Sequence, residues 1–191
     1  MLDPQERQLM SDLLRPPPGF KFNQAIVTTY SLDLLAMAAL PVAAMSMEPS
    51  LGSEEQGAEK IAALECIRRF MSSFTVCCQA GAIHIPREYQ DAYVWLESNI
   101  VELSPRTSER PGVFHPKVWL LRFVDEAGQV RYRVAVLSRN LTFDRSWDVV
   151  AVIEGNLTKR ERRFSINQPL VDFVEALDGA ALSHRTGSDI Q

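Results

Sequence analysis

The period of the apolar positions changes along the chain. Gln24 to Tyr30 (QAIVTTY) is a nearly continuous apolar and β-branched run, which predicts a buried strand. The Ala-, Leu- and Met-rich run that follows, to about Met47, predicts a core-facing helix capped by Ser31, with Asp33 in its first turn and a kink at Pro41. Ile61, Leu64, Cys66, Ile67 and Phe70 share one broad side of a helix over Ala58 to Ser72. Phe74 to Cys78 predicts a strand, Pro86 to Ser98 a helix and Ile100 to Leu103 another strand. Beyond a polar loop from Arg106 to Gly112 lie two apolar strands joined by a turn at Gly128, then a strand over Val149 to Ile153. Asn167 is placed to cap a last helix from Pro169 to Leu177.

Strands that alternate with helices and then follow one another predict an α/β fold, a mixed β-sheet flanked by helices. Residues 1–15 form an expected amphipathic helix, with Leu9, Met10, Leu13 and Leu14 on one side, broken by Pro16-Pro17-Pro18-Gly19. The expected organisation is therefore an N-terminal arm and Pro-rich linker over 1–19, one domain over 20–182 and a flexible tail over 183–191. No internal repeat or low-complexity segment interrupts it.

The 191 residues are 46% hydrophobic and 23% charged, an ordinary globular balance with material for a substantial core. The three cysteines (Cys66, Cys77 and Cys78) show neither CxxC nor metal-ligand spacing, so buried thiols in a reducing cytoplasm are expected. The start of the chain is charged, not an apolar leader, and Leu32 to Met47 is too short and too interrupted to span a bilayer. A net charge of −4 weighs against a broad basic nucleic-acid footprint. Arg139, Arg145, Lys159, Arg160, Arg162 and Arg163 make one region locally basic; for the run Lys159 to Arg163 a solvated turn and a phosphate-contacting edge are equal expectations.

The chemistry is concentrated between Phe114 and Glu154. His115 and Lys117 stand two residues apart at the edge of one predicted strand, Ser138 and Asn140 two apart at the edge of the next. Residues i and i+2 of a strand share a face, so neighbouring strands can aim all four at one small volume. A proton carrier or nucleophile, a fixed cation and hydrogen-bond donors suit a phosphate ester. Each residue also has a plain structural reading: His115 at a strand edge, Ser138 and Asn140 as turn formers, Asp148 as a cap or partner of Arg145. His84, between Ile83 and Ile85, is expected to pack, as is Trp119, whereas Trp147 has stacking chemistry. Thr28, Thr29 and Tyr30 end the first strand where they can help shape a site.

His115-Pro-Lys117 followed by Ser138-Arg-Asn140-Leu-Thr142 resembles the phospholipase D superfamily, in its nuclease and tyrosyl-DNA phosphodiesterase branches more than its lipases. The resemblance implies one half of a phospholipase D-like α/β sandwich. It implies phosphodiester cleavage without metal or cofactor: a histidine, here His115, forms a phosphohistidine while Lys117 and Asn140 hold the phosphate oxygens, with Ser138 adding a bond. Asp148 stands where many nuclease-type members carry an acid and is expected to fix the His115 tautomer; Thr142 is a further phosphate-side candidate. The chain departs from the pattern in three ways. The family's usual acid after the lysine has no counterpart, the first being Asp125; Leu137 replaces a glycine; and His84 and His184 begin no second HxK. The chemistry needs two such sets, so a homodimer, or a second half beyond this chain, is expected.

The leading expectation is a nuclease-type phosphodiesterase on nucleic acid, DNA before RNA, in a defence, restriction or repair setting. A phospholipid phosphodiesterase is a rival, weakened by the absence of a basic amphipathic helix. A catalytically idle nucleic-acid-binding or assembly module is the other.

Overall fold

A computed structural model describes residues 9–45, 68, 70–87, 93–105, 112–144, 146–157 and 164–181. Eight strands carry the fold: β1 Phe20–Thr29, β2 Leu32–Asp33, β3 Phe74–Gln79, β4 Ile83–His84, β5 Ile100–Leu103, β6 Val118–Asp125, β7 Val130–Leu137 and β8 Val150–Asn156. Three helices accompany them: α1 Leu34–Met45, α2 Val94–Glu97 and α3 Phe164–Ala180. Six strands form one sheet in the order β5-β3-β1-β6-β7-β8, and β2 and β4 form a two-stranded sheet. The β1, β3 and β5 strands are parallel, while β6, β7 and β8 continue the sheet antiparallel. The fold is thus α/β with a mixed sheet flanked by helices.

The core lies mainly on one face. Ala25, Val27, Phe74, Val76, Trp119, Leu121, Phe123, Ala135 and Leu137 meet Leu34, Met37 and Leu40 of α1 there. A smaller cluster on the other face joins Cys77, Leu103 and Phe114 to Leu177 of α3, with Ile26 and Phe173 packed against it. Strict alternation along β1 would split its apolar residues between faces. A register shift between Phe22 and Gln24 prevents this, and Asn23 is the extra residue. Phe20 and Phe22 consequently pack on the same core as Ala25 and Val27. The Arg122 guanidinium bonds the Asn23 amide oxygen at the bulge.

Several boundaries differ from the sequence expectations. The N-terminal segment is a 3-10 turn, Met10–Leu14, that buries Leu13 and Leu14 but leaves Leu9 exposed. The Pro16–Pro18 run explains the short element, because the residue before a proline avoids the α conformation. Ser31 does not cap α1: Asp33 Oδ1 accepts from Leu35 N–H at 2.8 Å instead. Pro41 lies inside α1. Asn167 and Pro169 lie within α3, which begins at Phe164. His84 is not packed but 74% exposed, with Nδ1 3.7 Å from Asp33 Oδ2. Cys77 and Cys78 are buried, and burial, reinforced by Glu102 and Cys77, pushes the Cys78 thiol up to about 12. Most of the expected helix over Ala58 to Ser72, the loop over 106–111, Cys66, Arg145, the Lys159 to Arg163 run and the 183–191 tail lie outside the described residues. Among the described residues no helix is long and apolar enough to cross a membrane.

Because a one-residue slip turns every side chain of a strand to the opposite face, the bulge is testable. Deleting Asn23 should destabilise the chain by about as much as truncating a buried aromatic, roughly 3–5 kcal/mol in urea unfolding. Asn23→Ala should cost far less. A deletion variant as stable as the parent would show that the extra residue does not set the facing of Phe20 and Phe22.

Candidate active site

The carboxyl ends of β1, β3 and β5, the start of β6 and the end of β7 all lie on one edge of the sheet, as the strand directions require. Neighbours of β1 differ in direction on its two sides, so its carboxyl end is a point where open α/β sheets leave a crevice. The sequence-derived residues gather around this end.

His115 and Lys117 sit on the extended segment that enters β6. Phe114 anchors it: its side chain is buried in the smaller cluster, and its N–H donates to Gln79 Oε1 at 2.6 Å. Lys117 C=O accepts from Leu137 N–H at 2.9 Å, which locks the segment in register with the exit of β7. The i, i+2 relation brings the side chains together, with Lys117 Nζ 3.2 Å from His115 Nδ1 and 3.3 Å from Nε2. These near-equal distances place the ammonium between the two nitrogens, not along one lone pair. Partial burial lowers the Lys117 pKa, since desolvation penalises the charged form. The Tyr30 ring lies 5.1 Å from the imidazole, tilted at 41°.

Asn140 is oriented by the end of β1. Its Oδ1 faces Tyr30 N–H at 3.2 Å. A backbone N–H can only donate, so the amide oxygen must occupy that side. The Nδ2 group has no hydrogen-bond partner among the described residues and is available to an acceptor. Thr29 supports this placement: its hydroxyl accepts from Leu141 N–H at 2.9 Å and donates to Ser31 C=O at 2.8 Å, with Asn140 Oδ1 more distant at 3.5 Å. Thr28 turns to the opposite face, accepting from Val118 N–H at 2.8 Å and donating to Val118 C=O at 3.1 Å. Among the described residues these two threonines are the buried polar ones.

Ser138, Thr142 and Asp148 serve the loop between β7 and β8. Ser138 Oγ donates to Asp148 Oδ1 at 3.0 Å and accepts from Val149 N–H at 2.9 Å. Thr142 Oγ1 donates to Asp144 Oδ2 at 2.9 Å. Each hydroxyl has one proton, and both protons are spent inside the loop. Asp148 does not hydrogen-bond His115: its Oδ2 accepts from Ser146 Oγ at 3.0 Å and lies 3.6 Å from Arg139 Nε. Arg139 also donates to Thr142 C=O at 2.9 Å, so it braces the loop from within. Hydrogen bonds from Ser146 and Thr142, with Arg139 nearby, hold the exposed Asp144 carboxyl down at about 2. Trp119 is buried, as its strand position predicts. Gln79 was not distinguishable in the sequence; its only signal was its place just past a predicted strand. Among the described residues no three His, Cys, Asp or Glu side chains gather as a metal site would require.

Thr29→Val keeps the shape of the side chain and leaves the Leu141 N–H without its acceptor. The expected loss is about 1–3 kcal/mol in urea unfolding, the cost of an unsatisfied buried donor. Thr29→Ser should recover most of it. Equal stability of the valine variant would show that the bond contributes nothing.

No family model matches the chain, and no curated protein matches it. Among solved structures, it is similar to a mutant of the yeast tyrosyl-DNA phosphodiesterase, with a TM-score of 0.45 and 10% identity over 82% of this chain. The similarity spans 31% of the yeast protein's chain.

Proposed function

We propose that the chain is a phosphodiesterase module acting on nucleic acid, DNA before RNA, without metal, through a phosphohistidine at His115. The observation that carries this reading is the convergence of His115, Lys117 and the unpartnered Asn140 Nδ2 at one end of the sheet, with the Asn140 amide oriented by Tyr30 N–H. An imidazole nitrogen of His115 attacks phosphorus; the P–N bond forms as the P–O bond to the leaving group breaks. The leaving oxygen takes a proton from a second histidine, which then removes a proton from water as water displaces His115. Lys117 and Asn140 stabilise charge on the equatorial oxygens. The Tyr30 ring holds the imidazole. Ser138, Thr142 and Asp148 act indirectly by fixing the loop that carries Asn140.

The second histidine comes from another copy of the chain, or from a second half of a longer protein. A setting in defence, restriction or repair belongs to the same reading. A module that binds a phosphodiester without cutting it is the second reading, favoured by the single HxK.

Cleavage of a labelled oligonucleotide should survive EDTA, and Lys117→Ala or Asn140→Ala should lower its rate on the order of 10²–10³-fold, as loss of one charge-stabilising donor does. His115→Ala should abolish it. Binding without cleavage, in a chain that light scattering shows to be dimeric, would establish the idle module instead. Loss of cleavage in EDTA would overturn the metal-free mechanism.

The lowered pKa of Lys117 adds a pH signature. The ammonium is needed protonated and gives up its proton at lower pH than an ordinary lysine, so activity should decline on the alkaline side before the usual lysine range. Lys117→Arg should remove that decline, because a guanidinium stays charged. An alkaline limb unchanged by the arginine would assign it to another group.

A further inference from the structure

The loop that carries Asn140 also presents two large aromatic side chains to solvent: Phe143 is 64% exposed and Trp147 79% exposed. They are not carried on a slack segment. Arg139 bonds Thr142 C=O, Thr142 bonds Asp144, Ser146 bonds both Asp144 and Asp148, and Asp148 bonds Ser138. Each aromatic therefore stands between braced residues, and ordering it against a flat ligand would cost little further entropy.

We propose that Phe143 and Trp147 form a stacking site for an unpaired nucleobase beside the phosphodiester held by Lys117 and Asn140. This rests on the functional reading above and adds to it the class of substrate, a single strand. Charge favours a base over further phosphates as the source of affinity. The loop holds two carboxylates, Asp144 and Asp148, and the whole chain carries a net charge of −4. Additional phosphates would meet repulsion there, whereas an aromatic face accepts any base. Bases within a duplex already stack on one another and offer no free face, which selects an unpaired strand.

The test measures binding of the full chain to a fluorescein-labelled oligothymidine, to an abasic strand of equal length and to a duplex of that length. Fluorescence anisotropy in EDTA is the readout, with His115→Ala run beside the wild type to keep the strand intact. The base-bearing strand should bind roughly tenfold tighter than the abasic one, the scale of one base–aromatic stack. Trp147→Ala and Phe143→Ala should each erase much of that ratio without changing abasic affinity, while Trp147→Phe keeps part of it. Affinity for the base-bearing strand should also fall only shallowly with salt, because few phosphates are neutralised.

If Lys117→Ala weakens both strands while Trp147→Ala and Phe143→Ala leave their ratio unchanged, the stacking site is wrong and the phosphodiester reading stands. A duplex bound as tightly as the single strand, or an alanine variant that loses both strands equally, also overturns the stacking site. If neither the wild type nor His115→Ala binds any strand, the phosphodiester reading fails and the stacking site fails with it.

Discussion

Two buried hydroxyls at the end of β1 carry the arrangement of this molecule. Thr28 and Thr29 point to opposite faces of the sheet, and each is fully hydrogen-bonded where an unsatisfied group would be costly. Thr28 closes β1 against the first residue of β6. Thr29 ties β1 to the residue after Asn140. The central strand thus fixes both chemistry-bearing segments at once, one from each face, and the next residue, Tyr30, supplies the N–H that turns the Asn140 amide. A site assembled from residues far apart in sequence depends here on three consecutive positions.

What the sequence disclosed follows from how local each cause is. The β5 strand Ile100–Leu103 and the hairpin turn at Gly128, with φ 78°, were legible because a short apolar run and a left-handed residue declare themselves locally. The HxK pair was legible for the same reason, since i and i+2 in extended chain meet whatever surrounds them. The bulge at Asn23 was not, because it exists to reconcile β1 with a core built from distant strands. Asn167 looked like a cap because Pro169 follows it, yet the helix extends back to Phe164. Ser138, Thr142 and Asp148 were identified as a group, but sequence spacing does not reveal where a hydroxyl proton is spent. That choice was made by Asp144, Ser146 and Val149, close in the chain and satisfied first.

The candidate site brings opposed charges close without mixing them. Lys117 leans on an imidazole and is partly desolvated, while the carboxylates of Asp144 and Asp148 are occupied by serine and threonine hydroxyls and by Arg139. A carboxylate saturated with donors inside its own loop competes less for the lysine. The loop network therefore serves stability and leaves the ammonium for a ligand.

The β8 strand closes the sheet with all seven residues exposed and one edge unpaired. Its first residue lies beside Leu137, at the site end, and its last lies beside Arg131, at the far end. Two copies joined edge to edge through β8 about a two-fold axis would pair antiparallel. Their His115 side chains would then lie at opposite margins of a twelve-stranded sheet, two separate half-sites facing apart. A symmetric pair that shares one phosphate must instead have its axis running roughly along the strands. The direction of one edge strand therefore separates the dimers that lengthen the sheet from those that complete the chemistry.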